Sequence, residues 1–333
     1  MLVSRFVKRL ISMRELRNSL RILPLSLSII SLVFQVRAQD SNILYPVEEI
    51  DQRLMYEPFE ILRFHDARFE GDIPKRVIVK FSDGTMIRVK WKRSARGGWA
   101  PNNEPRYEIA AYKFQKLFLE PDEYVVPPTV GRCLPVLQYR TFEPEVSPTF
   151  KKTSDVLFVL QYWLENVSPK DIYDKKRFET DSLYARYLGN MNIFSYLVKH
   201  SDSNIGNFLI STVPSNPRLF VVDNGLAFGS LESDRGYEWR KMRLKRLPED
   251  TIERLRKIQL EDLETTLGVV AQFAVKDGHL VPIDDSENID RNKGVRHKDE
   301  IIQFGLTSHE IKGVYSRLNK LLKWVDEGKI QTF

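Results

Sequence analysis

Two short segments of this chain carry residue types and spacings suited to chemistry. The first, His200-Ser201-Asp202-Ser203-Asn204-Ile205-Gly206-Asn207, follows a long helix candidate, 181–199, with Leu183, Tyr187, Met191, Phe194 and Leu197 as its apolar stripe. The second, Asp223-Asn224-Gly225, follows the short apolar run Leu219-Phe220-Val221-Val222. Moving a phosphoryl group from a nucleotide asks little of a protein. One aspartate orients or deprotonates the acceptor hydroxyl, oxygen ligands hold a divalent metal on the phosphates, and a cation steadies the groups left behind. An Asp followed five positions later by Asn supplies the acid–base group and one metal ligand from a single loop. An Asp closing the next strand supplies the second ligand, and a glycine lets the chain turn beside it. Asp202, Asn207 and Asp223 fit those roles, with Asp202 catalytic and the other two on the metal. Each motif alone is common by chance; the order helix, loop, strand, Asp-Asn-Gly is far more specific.

The elements that must position these residues lie upstream. Residues 76–81 and 86–92 flank Ser82-Asp83-Gly84-Thr85, which predicts a hairpin with an Asp-Gly turn. In its second strand Ile87, Val89 and Trp91 alternate with Arg88, Lys90 and Lys92, so the three cations share one face. Lys90 or Lys92 is placed to contact phosphate. Glu108 opens the next predicted helix, 108–119, where it could pair with that lysine. Taken singly, the lysine reads as a solvated strand face and Glu108 as a favourable first-turn helix charge; the ordered set of five residues favours function. Residues 156–163 (Val-Leu-Phe-Val-Leu-Gln-Tyr-Trp) predict a buried strand. Leu209-Ile210 and 219–222 predict short strands across the turn-like Pro214-Ser215-Asn216-Pro217, and the chain from Asp250 reads as mostly helical, interrupted near 284–293. Strands early and helices late predict two lobes.

Charge excludes one class of partner. The formal net charge is +6, but residues 1–38 hold seven basic residues and one acidic residue, leaving 44 of each sign in the remainder. The body of the chain is neutral, so nothing marks a nucleic-acid binder. The basic head precedes a 13-residue apolar stretch, Ile22 to Phe34, too short for a hydrocarbon core of about 30 Å. Val36-Arg37-Ala38 then offers small residues at a cleavage site, so residues 1–38 read as a secretory signal peptide. The alternative is an uncleaved anchor, the one route by which this chain would meet a membrane. Cys133 is the single cysteine, so no intrachain disulfide forms, and it reads as a small core residue. The histidines are scattered without the spacing of a zinc site.

With these residues in place, a resemblance emerges. Val89-Lys90-Trp91-Lys92, Glu108-Ile109-Ala110-Ala111-Tyr112, Val126-Pro127-Pro128-Thr129-Val130-Gly131-Arg132, Ile193-Phe194-Ser195-Tyr196-Leu197 and the stretch from Val222 to Gly229 resemble the secreted kinases of the family-with-sequence-similarity-20 and four-jointed group. The similarity covers 86–229 and, more faintly, the C-terminal helices. It implies an α+β, bilobal protein-kinase-like fold with a sheet-rich N-lobe and a helical C-lobe. It implies ATP in the cleft, Mg or Mn on Asp223, Asp202 as the catalytic aspartate, and Lys90 in preference to Lys92. In such a fold 161–164 form the hinge, so Gln161, Tyr162 and Trp163 would face the adenine, and His200 packs beneath the catalytic loop. The expected organisation is a signal peptide 1–38, a lead-in 39–53, an N-lobe 54–163 and a C-lobe 164–333. The expected activity is phosphoryl transfer to a hydroxyl of an exported protein or glycan. Asp223-Asn224-Gly225-Leu226-Ala227-Phe228 is also similar to type II phosphatidylinositol 4-kinases, which keeps a lipid or small-molecule acceptor as an alternative. A pseudokinase scaffold and an AMP-transferring variant are further alternatives. The sequence departs from the secreted-kinase pattern in lacking cysteine pairs and a glycine-rich phosphate loop, for which Glu70-Gly71-Asp72 is the nearest candidate.

Overall fold

The Asp-Gly turn forms as the sequence demands. Gly84 takes φ +89°, its N–H donates to Phe81 O, and the Asp83 carboxylate accepts from Thr85 N. It joins β2 (Lys75–Phe81) to β3 (Met86–Arg93) in the computed structural model, which describes residues 40–65, 74–101, 103–202, 204–229 and 239–333. The expected signal segment 1–38 and the Glu70-Gly71-Asp72 candidate lie outside the described residues. Among those that are described, no helix is long and apolar enough to cross a membrane.

With β1 (Phe59–His65), β4 (Thr129–Pro135) and β5 (Asp155–Tyr162), the hairpin makes a five-stranded antiparallel sheet in the order β1-β2-β3-β5-β4. Ile87, Val89 and Trp91 point into one core, where Trp91 stacks on Phe158 at 3.8 Å between ring centroids. Every residue of β5 is buried, as its unbroken apolar run requires for a strand covered on both faces. The segment read as a polar lead-in folds further than expected. α1 (Val47–Tyr56) begins inside it and buries Val47, Ile50 and Leu54, a helical i, i+3, i+7 stripe. On the sheet's other face lies α2 (Pro105–Gln115), carrying Glu108. The short α3 (Val136–Tyr139) follows β4.

Downstream the chain is organised around a second core. After β6 (Val167–Ser168) and α4 (Lys175–Thr180) comes α5 (Ser182–Leu197), whose N-cap Asp181 accepts from Tyr184 N at 3.0 Å. The expected stripe holds at Met191, Phe194 and Leu197 but not at Leu183, which is exposed. The helix is wrapped on nearly all sides from Leu188 onward, so its buried face is broader than one stripe. Then follow β7 (Phe208–Ser211), β8 (Leu219–Val221), β9 (Arg246–Leu247), α6 (Glu249–Arg256) and α7 (Leu260–Gly268). The region expected to be mostly helical instead contains a four-stranded antiparallel sheet. Its strands are β10 (Ala271–Lys276), β11 (His279–Pro282), β12 (Val295–Lys298) and β13 (Ile301–Phe304), in the order β11-β10-β13-β12. The tight turn Asp277-Gly278, both residues with positive φ, turns this chain back where a helix was expected. α8 (Ser308–Asp326), capped by a Thr307–Glu310 box, and β14 (Gln331–Thr332), paired with β9, complete the chain.

Candidate active site

The basic face of β3 turns into a cleft, from Arg88, half-exposed at the rim, to Lys92, buried. Arg88 and Lys90 line a cavity of about 890 Å³ between the first sheet and the loops of the second core, and Lys92 lies buried behind it. Gln161, Tyr162 and Trp163 wall the same cavity, Gly206 and Asn207 lie below, and Asp223 stands at the inner end. This volume suits a nucleotide-sized ligand.

Register brings the two sequence motifs together. β7 and β8 pair antiparallel, with Phe208 opposite Val221, so Asn207 and Val222 are neighbours and Val222 N donates to Asn207 O at 2.9 Å. Two further backbone bonds lash the loops: Ser201 N to Leu226 O at 2.9 Å and Phe228 N to Val198 O at 2.6 Å. Asp223 adopts the left-handed conformation (φ 59°, ψ 58°), which Asp tolerates better than most residues. The turn is secured because Asn224 N donates to Glu108 Oε2 at 2.9 Å.

Both lysines converge on the acids. Lys90 Nζ lies 3.0 Å from Asp223 Oδ1 and 3.7 Å from Glu108 Oε1; Lys92 Nζ lies 3.4 Å and 3.3 Å from the same atoms. Of the two, Lys90 lies on the cavity wall and Lys92 is enclosed behind it. Lys90 holds the Asp223 carboxyl well below the usual carboxylate range, against the opposing effect of burial. Burial alone would lower Lys92, but Asp223 and Glu108 outweigh it and keep its proton on beyond the ordinary lysine range. Glu108 does not line the cavity; it stands behind the lysines within reach of both.

Asp202 sits in the loop below. Its backbone oxygen accepts from Asn207 Nδ2 at 2.8 Å, which leaves the amide oxygen of Asn207 as the end available to a cation. Its own Oδ1 is buried with no hydrogen-bond partner among the described residues, and unpaired buried carboxylate oxygens are rare unless they serve a ligand. His200 is fully buried, edge-on to Phe208 at 5.4 Å, and burial lowers its pKa, as fits a packing role beneath the loop. Cys133 is partly buried, donates to Leu280 O, and has its pKa pushed up to about 12 by burial, a packed and unreactive thiol.

The segment expected to form the hinge has support that the sequence does not announce. Trp163 N donates to Arg88 O and Glu165 N to Asn42 O, and the Asn42 side chain bonds Glu165 O and Asn166 O. Arg88 pairs with Glu165 at the rim, and Arg76 lies over the Trp163 ring at 5.8 Å. Gln161 turns its amide to Thr129 Oγ1 at 2.9 Å rather than into the cavity. The alternation along β3 signals Arg88; nothing local signals Asn42.

Compared as a sequence, the chain matches no protein-family profile and no curated protein. Compared as a structure, it superposes on hydra Fam20, solved with a sugar, at a TM-score of 0.51 and 16% identity, over 85% of this chain and 88% of that one. The chain has the fold of Fam20. That is the α+β, two-lobed arrangement expected, with a sheet-rich N-terminal part and a helical C-terminal part. The Golgi casein kinase is also similar, at TM-scores of 0.48 and, with Mn and ADP bound, 0.47, again at 16% identity. Those matches cover 86% and 85% of this chain and 77% and 76% of the other.

Proposed function

We propose that this chain is an ATP-dependent phosphotransferase, an atypical kinase that moves the γ-phosphoryl group of ATP to a hydroxyl of an exported protein or glycan. The observation that carries this reading is the convergence of Lys90, Asn207 and Asp223 on one nucleotide-sized cavity, with Glu108 aiming the lysine. Lys90 pairs with phosphate oxygens. Tyr162 and Trp163 flank the base at the hinge, and Gln161, bonded to Thr129, shapes the wall beside it. Asp202 accepts the proton as the acceptor oxygen bonds to phosphorus and the bond to ADP breaks.

The residues present fit Mg or Mn. Asp223 and Asn207 offer carboxylate and amide oxygens and no soft donor, and the unpaired Asp202 oxygen lies in the same loop. Among the described residues no group of three His, Cys, Asp or Glu forms a cage. Bound there, the ion neutralises charge on the phosphates during transfer. We assign 54–163 to the N-lobe and 164–333 to the C-lobe, and residues 1–38 to a secretory signal that exports the chain.

The test is turnover of labelled ATP by purified residues 39–333 with Mn or Mg, beside Asp223→Ala. Metal-dependent label transfer or ADP release is expected, reduced in the variant by about 10²–10³-fold or more. No turnover, together with no thermal shift on adding nucleotide and metal, would sink the enzyme reading.

A further inference from the structure

Glu108 can aim the lysines only if α2 is held in place, and the structure shows an unusually complete hold. Arg106, two residues before Glu108, has a side chain 9% exposed and makes a two-pronged pair with Glu310 at 2.7 and 3.0 Å. Its Nε binds Glu104 at 2.9 Å, and a further N–H reaches Gly305 O at 3.3 Å. The Tyr107 hydroxyl donates to the same Glu310 carboxylate. Glu310 in turn accepts from Thr307 N at 2.7 Å and Thr307 Oγ1 at 3.0 Å, so it is also the cap of α8. The other end of α2 is pinned through buried Gln115, which accepts from Val125 N and Val126 N and donates to Val126 O. Between them the second sheet presses from behind: Ile109 packs at Gly131, where Phe273 also closes in.

The hold reaches the metal loop. The Tyr107 ring packs on Phe228 at 5.6 Å, and Phe228 N is bonded to Val198 O ahead of the catalytic loop. One carboxylate, Glu310, therefore links the start of α8, the start of α2 and, through Tyr107, the segment after Asp223.

We propose that Arg106, Tyr107 and Glu310 are positioning residues that fix α2 with Glu108 over Lys90 and Lys92, so that the folded chain needs no activating partner or modification to bring this helix in. The proposal rests on the phosphotransferase reading, and none of the three residues lines the cavity. A purely structural role would affect stability and leave the rate per folded molecule unchanged.

The test pairs turnover with hydrogen exchange along α2. Arg106→Met with Glu310→Leu removes both charges of the pair while keeping volume; it leaves the Glu104 carboxylate, 14% exposed, without its arginine, so stability is measured separately from the rate. The variant is expected to fold, to lose about 10–100-fold in kcat with KM for ATP within about twofold, and to lose protection selectively over 106–115. Tyr107→Phe keeps the ring and the ion pair and serves if the double variant does not fold; it is expected to lose about threefold in kcat, the cost of one hydrogen bond. A variant with kcat within about twofold of the parent, or unchanged α2 protection, overturns the proposal. Absence of turnover in the parent chain would instead sink the phosphotransferase reading, while exchange would still report whether these residues hold the helix.

Discussion

Two ionic clusters meet α2, and they are built to opposite standards. In the brace, Arg106, Glu104, Tyr107, Glu310 and Thr307 satisfy one another, and none leaves a buried polar atom unpaired. In the cleft, two lysines crowd one oxygen of Asp223 while Asp202 Oδ1 and both side-chain polar atoms of Asn224 are buried without partners among the described residues. Unpaired buried groups are costly, and a cluster that keeps them is being held open for something else.

The sharpest way to break this contrast is within the cleft itself, because Lys90 and Lys92 share partners but not surroundings. Lys92→Met takes the more enclosed cation from between two carboxylates and is expected to cost about 3–5 kcal/mol of stability as well as activity. Lys90→Met leaves Lys92 to hold Glu108 and Asp223. It is expected to lower kcat/KM by about 10²-fold with little change in unfolding midpoint. Denaturant melts and ATP turnover on the two variants give both numbers. Equal stability losses would mean that Lys90 supports the fold as much as the site.

Two glycines probe the same contrast more gently. A Cβ at Gly294 would overlap the Arg106 guanidinium, whereas a Cβ at Gly206, on the cavity floor, meets nothing within 4 Å. Gly294→Ala is expected to lower stability by about 1–3 kcal/mol, the usual cost of overpacking, with nucleotide affinity unchanged. Gly206→Ala should leave stability within about 0.5 kcal/mol, as surface changes do, and alter nucleotide affinity instead. Calorimetric melts with and without nucleotide separate the two; a Gly294→Ala protein as stable as the parent would show that the brace has slack.

What could be read in advance follows the range of the interactions. In the first sheet the β2–β3 hairpin was legible because period-two alternation and an Asp-Gly turn are local signals, and β5 because a covered strand is continuously apolar; β1, whose register shifts between Ile61 and Arg63, and β4 were not foreseen. The residues that meet in the cleft were legible because Asp202, Asn207 and Asp223 follow recognisable elements and Lys90 lies on an alternating strand. The second sheet was misread as helix: its strands run four to six residues, and the β12–β13 turn rests on Asp299 at φ +53° with no glycine to announce it. The brace left no trace at all, since Arg106 and Glu310 lie 204 positions apart and each looks like an ordinary first-turn helix charge.

The smallest expected effect concerns acid. Burial works to raise the Glu310 carboxyl, but its bonds to Arg106, Tyr107 and Thr307 win and hold it below its ordinary value. A carboxyl depressed on folding stabilises above its unfolded pKa of about 4.3, and that stability is lost as pH falls through the folded value. Glu104 runs the other way: burial raises it, so folding favours its protonated form and offsets part of the loss. Asp223, held far lower by Lys90, stays charged through most of the same window. Above its unfolded pKa the Glu310 contribution should therefore be constant. Below about pH 4.3 the parent should weaken more steeply than Glu310→Gln, which has no proton to take up. Parallel curves in the two proteins would mean that Glu310 gains nothing from its partners on folding, and the brace would then be packing alone.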